Sequence, residues 1–270
     1  RDLGVALLRP AGRGLALTEA GEAAHALADR IFALGAELPQ QVRDAAGSRV
    51  LRLAVGVSDG LAKLVVQRLL APVLAAPGLR LLCSEGPQER LLAELAQHRL
   101  DLVLADRPAP PNPNLRLYGH ALGRSGVAWY GPPALAAAAR PGFPQSLASL
   151  PVLLPSAHSA LRPQLELWFE RQGLRPQVAG EFDDGALMKA FGAAGLGLFP
   201  GPVLVEPALA ARYAVQRVGA CDGLTEQFWA IGTERKVQHP LVRRLLEGAV
   251  VEGAVVEGAV VDDFGADGAG

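Results

Sequence analysis

Along this 270-residue chain the spacing of hydrophobic positions changes several times, and each change marks a predicted element. Between Leu7 and Leu17 two short runs flank Gly12 and Gly14, whose permissive backbone suits a tight turn, so this stretch reads as a β-hairpin. Thr18 follows, a hydroxyl placed to cap a helix, with Glu19 near the positive helix start. Ala24, Leu27, Ile31, Leu34, Leu38 and Val42 then recur in alternating steps of three and four, the seam of a coiled coil. A helix with one such stripe needs a partner. An identical helix is the simplest, which makes Leu27, Ile31, Leu34 and Leu38 a dimer seam, while packing within the chain fits the same periodicity. Pro39 removes a backbone bond and meets the carbonyl of Gly35, which predicts a kink or helix end there.

After Gly47-Ser48 the pattern switches to compact apolar runs separated by helical periodicity. Val50–Val57, Leu79–Cys83 and Leu100–Ala105 read as strands, with helices led by Leu61 and by Glu89 between them. That alternation predicts βαβ units and a parallel sheet. A second series follows the Pro-rich 106–114 loop. Its expected strands are 126–130, 152–154, 178–182, 197–199 and 215–218, and its expected helices 133–139, 160–172, 185–194 and 202–212. Phe228–Gly232 reads as a strand returning to the first series, and His239-Pro240-Leu241 opens a last helix. Two α/β lobes joined by a crossing chain predict a two-lobed fold of the periplasmic-binding-protein type. Its ligand cleft lies at the carboxyl ends of strands and the amino ends of helices.

Composition narrows the functional classes. Half the residues are hydrophobic and the net charge is −1, so the chain has a sizeable core and is no polycation. Cys83 and Cys221 supply neither metal-ligand spacing nor a disulfide framework, as suits a reducing cytoplasm. No apolar run is long enough to span a bilayer, so no membrane partner is expected. The five histidines are scattered, and the phosphate-loop, zinc-protease and nucleophile-elbow motifs are absent, so no enzyme is expected. Residues 247–261 repeat Glu-Gly-Ala-Val-Val three times, a period that fits neither helix nor heptad and reads as a low-complexity tail.

The opening hairpin and long helix, with Arg9 and Arg13 at the hairpin, resemble the wing and linker helix of a LysR-type transcriptional regulator. The stretch Gly180-Glu181-Phe182-Asp183-Asp184-Gly185-Ala186-Leu187-Met188-Lys189-Ala190-Phe191 resembles one branch of that family, the NhaR-like activators of sodium/proton antiporter genes. Gln97–Leu102, Asp106-Arg107-Pro108, Gly123–Val127 and Gln238-His239-Pro240 resemble the same branch, although Arg124 stands where an acidic residue is expected. The resemblance implies a winged helix-turn-helix remnant at 1–18, a linker helix at 19–48 and an effector domain at 49–246. Within that domain, lobe I spans about 49–120 and 224–246 and lobe II about 121–223, and the tail is 247–270. It also implies promoter DNA, a homodimer or tetramer and RNA polymerase as partners, with Arg9 and Arg13 on phosphates.

The effector residues expected in the cleft are Ser58, Asp59, Asp106, Ser125, Ser159, Glu181, Phe182 and Asp183. No resident cofactor is expected. Asp59, Asp106, Glu181 and Asp183 offer the oxygens that hard cations take, and the resemblance makes Na+ or Li+ the effector. Two other readings stay open. In one, a small organic anion sits on the hydroxyls at helix starts with Arg107 or Arg124. In the other, the chain is a transporter's solute-binding protein.

Overall fold

The computed structural model describes residues 4–11, 14–45, 50–111, 117–233 and 239–248. Strands β1 (Leu8–Ala11) and β2 (Gly14–Leu17) form the antiparallel hairpin, with Leu8 opposite Leu17 and Arg9 opposite Ala16. Thr18 closes it and starts the next element. Its backbone N–H donates to the Leu7 carbonyl (3.0 Å), and its Oγ1 donates to the Ala6 carbonyl (2.7 Å) and accepts from the Gly21 N–H (3.0 Å). Helix α1 (Glu19–Ala45) runs on through Pro39, so of the kink or helix end expected there, the helix end does not occur. Proline is tolerated because its clash falls on Gly35, whose missing side chain leaves the backbone free to adjust. Leu27, Ile31, Phe32 and Leu38 are exposed along it, apolar side chains that the other described residues leave uncovered. The side chains of Leu34 and Val42 lie outside the described residues.

A six-stranded sheet dominates the remainder. Parallel strands β3 (Leu51–Ser58), β4 (Leu79–Gly86) and β5 (Leu102–Ala105) lie in the order β4-β3-β5. Helices α2 (Lys63–Leu74) and α3 (Gln88–Ala96) connect them, the crossover that parallel pairing demands. β10 (Gln216–Thr233) and β6 (Leu117–Gly131) continue the sheet antiparallel, and β9 (Phe199–Pro202) closes it. A small parallel sheet, β7 (Pro151–Pro155) with β8 (Gln177–Phe182), joins through a bridge between Val152 and Leu198.

The helices of this second half are α4 (Pro133–Ala139), α5 (Leu161–Arg171), α6 (Gly185–Ala193) and α7 (Glu206–Tyr213). α8 (Pro240–Gly248) returns to pack on α2, burying Leu241, Val242 and Leu245.

Two lobes result, each with its own core. Leu53, Val55, Val65, Leu69, Leu102 and Leu104 centre the first, and Val127, Trp129, Val152, Leu165, Trp168 and Phe169 the second. The long strands β6 and β10 pair with each other and run through both lobes. β10 was expected as two separate strands, 215–218 and 228–232. It is one strand instead, because the register absorbs 221–224 in an irregularity between Ala220 and Thr225, with Gly223 at φ +75°. Among the described residues no helix is long and apolar enough to cross a membrane.

Candidate functional site

The parallel strands of both lobes end at the same opening. β3 ends in Ser58, followed by Asp59-Gly60, β4 delivers Pro87-Gln88-Glu89 to the start of α3, and β5 delivers Asp106-Arg107. From the other side β7 delivers Ser156–Ser159 to α5, and β8 delivers Asp183-Asp184 to α6. Together these turns line a cleft of about 650 Å³. Its walls carry four carboxylates (Asp59, Glu89, Asp106 and Asp183) against one guanidinium, Arg107.

Local bonds fix this rim. The Asp59 N–H donates to the Gly86 carbonyl (3.2 Å), and the Ser156 N–H donates to the Phe182 carbonyl (2.8 Å). Ser58 Oγ donates to Asp106 Oδ1 (3.4 Å). Asp106 also leans over Gly60, where an added Cβ would fall 2.2 Å from Asp106 Oδ2, so this turn needs glycine for the carboxylate to lie as it does. Arg107 Nε donates to Gln88 Oε1 (2.8 Å), and Gln88 Nε2 donates back to the Pro108 carbonyl (3.1 Å). Ser159 Oγ accepts from the Leu161 N–H (3.2 Å). Asp184 caps α6 by accepting from the Leu187 N–H (2.7 Å). Burial pushes the Asp184 carboxyl upward, but that bond and the nearby Lys63 hold it below the usual range.

Of the residues singled out from sequence, Ser58, Asp59, Asp106, Ser159 and Asp183 line this cleft. Ser125, Glu181 and Phe182 are placed differently. Ser125 is buried in β6, where its Oγ accepts from the Leu204 N–H (3.0 Å) and donates to the Gly126 carbonyl. Glu181 accepts from Arg162 Nη2 at 2.9 Å. Phe182 packs on Phe191, with ring centroids 5.6 Å apart. Arg124 is exposed on β6 opposite Gln227. Arg9 is exposed on the hairpin, and Arg13 lies outside the described residues. Among the described residues no three His, Cys, Asp or Glu side chains converge as a metal cluster.

Sequence reading passed over the floor. Below the rim the cleft narrows to a cavity of about 40 Å³ that shares Asp59, Gly60, Ser159 and Asp183 with it and adds Lys63, Lys189 and Glu226. Lys63 Nζ pairs with Glu85 and approaches Asp184 across the lobes at 3.8 Å. Lys189 is 6 % exposed and donates to the Gly185 carbonyl (3.0 Å). Burial lowers the Lys189 pKa. Glu226 Oε2 is enclosed without a hydrogen-bond partner. Burial pushes the Glu226 carboxyl up to about 7, against the pull of Lys189 and with help from Asp106. The signal for Lys189 was present, since it follows Met188 on the apolar face of α6. Glu226 gave none, since a charged residue beside Thr225 and Gln227 reads as solvent-facing strand.

A raised pKa makes the folded state bind the proton more tightly than the unfolded chain. Glu226 therefore contributes stability that is complete below about 4.5 and is lost as pH rises through about 7. Relative to the parent, Glu226→Gln should gain stability across that window. Paired urea titrations at several pH values check it, and a difference independent of pH would contradict it.

Comparisons with known proteins give the arrangement a family. The LysR substrate binding domain matches residues 46–250. The chain is 36% identical over 242 residues, 88% of its length and 78% of the relative's, to the transcriptional activator protein NhaR of Escherichia coli K12. In structure it is similar to CbnR, a LysR family transcriptional regulator, with TM-score 0.58 and 21% identity over 92% of this chain and 86% of that one. CbnR complexed with its target DNA aligns at TM-score 0.56 and 20% identity over 92% and 84% of the two chains. The effector binding domain of QuiR, solved with shikimate, aligns at TM-score 0.51 and 13% identity over 74% and 95%. The domain match and the identity to NhaR, over a fold with one cleft at the strand ends of two lobes, make this chain a member of the LysR family of transcriptional regulators.

Proposed function

We propose that the chain is the effector-responsive part of a transcriptional activator that responds to Na+ or Li+ and drives a sodium/proton antiporter gene. The observation that carries the ion reading is the wall charge of the cleft, with Asp59, Asp106 and Asp183 on one opening. The similarity to NhaR supports the activator reading. A singly charged ion is held more weakly than calcium, and the cleft offers it carboxylate oxygens spread along the wall with the Ser58 and Ser159 hydroxyls, not a converged cluster. Both lobes line the opening, so an ion held there favours one lobe arrangement over another. Coupling of this kind is typically about 1–3 kcal/mol, enough to change promoter occupancy severalfold to a hundredfold. A ligand indifferent to the arrangement would shift nothing.

DNA contact belongs to the hairpin end, where Arg9 is exposed. The uncovered stripe of α1 (Leu27, Ile31 and Leu38) suits pairing with a second copy, with RNA polymerase as the further partner of the activated complex. A reporter fused to an antiporter promoter tests this in cells with and without the gene. The expected result is a gene-dependent rise with added NaCl or LiCl and none with KCl. Equal responses to the three salts would overturn the ion reading.

An organic anion is the second reading. Ser159 and Arg107 at the rim and the helix starts favour it. Arg107 is already held by Gln88 and faces Glu89 at 4.0 Å, which leaves little positive charge uncommitted.

A further inference from the structure

The floor of the cleft contains two ionisable groups, buried Lys189 and partly buried Glu226, that do not complete each other. Lys189, on α6 of the second lobe, spends one N–H on the Gly185 carbonyl. Glu226, on the strand β10 that runs through both lobes, leaves an enclosed oxygen with no partner. Both line the cavity of about 40 Å³, whose far wall is Asp59–Lys63 from the first lobe. An enclosed polar atom without a partner is costly, so such groups are normally satisfied by something. What fills the gap must suit both. A bare anion faces the Glu226 carboxylate, and a bare cation faces the Lys189 ammonium. A group that donates to one and accepts from the other satisfies both at once.

We propose that this floor is the recognition point for an organic ligand with an uncharged donor–acceptor head group, a carboxamide in its simplest form. The head N–H donates to the Glu226 carboxylate and the head carbonyl accepts from Lys189 Nζ. The body of the ligand extends into the 650 Å³ cleft above, whose size is that of a pocket for a small organic molecule. Lys189 and Glu226 thereby set specificity by charge. They also make the ligand a report on lobe closure, because the floor is built from α6, β10 and the turn after β3 together. The proposal rests on the cleft being the effector site and not on the effector being an alkali cation.

Three fragments of nearly equal size test it: acetamide, acetate and acetamidinium. Binding of each to the full chain is followed by ligand-observed saturation-transfer NMR at matched ionic strength and at a pH above about 7, where Glu226 is a carboxylate. The parent is expected to prefer acetamide over both ions by about tenfold. Glu226→Gln leaves the ammonium uncompensated and should move the preference to acetate. Lys189→Met leaves the carboxylate and should move it to acetamidinium. The opposite directions keep the test decisive if one variant fails to fold, since the other still has a required outcome. A parent that prefers either ion, binds none of the three because water alone fills the floor, or keeps its preference in a folded variant overturns the proposal. The failure is distinguishable from that of the ion reading: a sodium-selective response of the promoter with no fragment preference leaves the ion reading intact, and the converse leaves the floor intact.

Discussion

Replacing Trp129 with alanine should cost about 3–5 kcal/mol, the usual range for removing a large aromatic side chain from a core. Trp129 is 0 % exposed and packs its ring 5.9 Å from Phe169, which in turn meets Trp168 at 5.5 Å. It lies on β6 opposite Gly219 of β10, where the paired strands enter the second lobe. The cavity left behind would sit under the strands that carry the lobe connection, so collapse around it is restricted. For a domain of this size the melting temperature should fall by about 2–4 °C for each kcal/mol. Urea unfolding with Trp129→Phe as the volume-sparing control checks it. A loss below about 1 kcal/mol would mean that the second core is not organised around this ring.

Asp101→Ala should be the costliest polar substitution in the first lobe. Asp101 is 4 % exposed, and it faces Ala54 twice: its Oδ2 accepts from the Ala54 N–H at 2.7 Å, and its own N–H donates to the Ala54 carbonyl at 2.7 Å. The pair stands one residue before the β3–β5 register begins at Val55 and Leu102, so it sets where the parallel pairing starts. Truncation strands a buried N–H at a cost of about 1–3 kcal/mol, more because the lost acceptor is charged. Asp101→Asn keeps an acceptor and should recover part of the loss. Equal stability of parent and Asp101→Ala in urea would show that water replaces the carboxylate without penalty.

Much of this architecture was legible because local rules and tertiary packing agreed. α4 falls on Pro133–Ala139 as expected, and the βαβ order of the first lobe follows from period switching alone. The Thr18 cap was readable from a hydroxyl three residues before Gly21. The long strands were not legible. Asp222-Gly223 and Gly119 with Gly123 are turn signals by composition, but here they sit inside β10 and β6, where Gly123 has φ +142°. Sheet pairing with a distant strand overrode the local preference. Similarly, Pro200-Gly201-Pro202 is a turn signal by composition. It lines the floor, but as the end of a buried edge strand paired with β6, a position where proline's missing donor is tolerated.

The site divides along the same boundary. Rim residues were readable because a turn after a parallel strand puts its polar groups at the strand's carboxyl end, as with Ser58-Asp59 and Asp106. The misplaced ones came from applying that rule to residues still inside a strand. Ser125 is mid-strand and bonds the Leu204 N–H, and Glu181 and Phe182 precede the turn and meet Arg162 on α5 and Phe191 on α6, so none of the three lines the opening. The floor depends on which element of one lobe meets which strand of the other, and single-residue patterns do not encode that. Lys189 and Glu226 lie 37 positions apart and are brought together only by the folded lobes.

Thermal unfolding of the chain in NaCl, LiCl and KCl at matched ionic strength tests most directly whether the cleft senses an alkali ion. The parent is compared with Asp106→Asn/Asp183→Asn. A ligand bound only to the folded state at ten times its Kd adds about 1.4 kcal/mol, a rise of about 3–6 °C here. The account predicts that rise for sodium and lithium, none for potassium, and its loss in the double variant. Equal shifts in all three salts, or a sodium-selective shift that survives in the double variant, would contradict it.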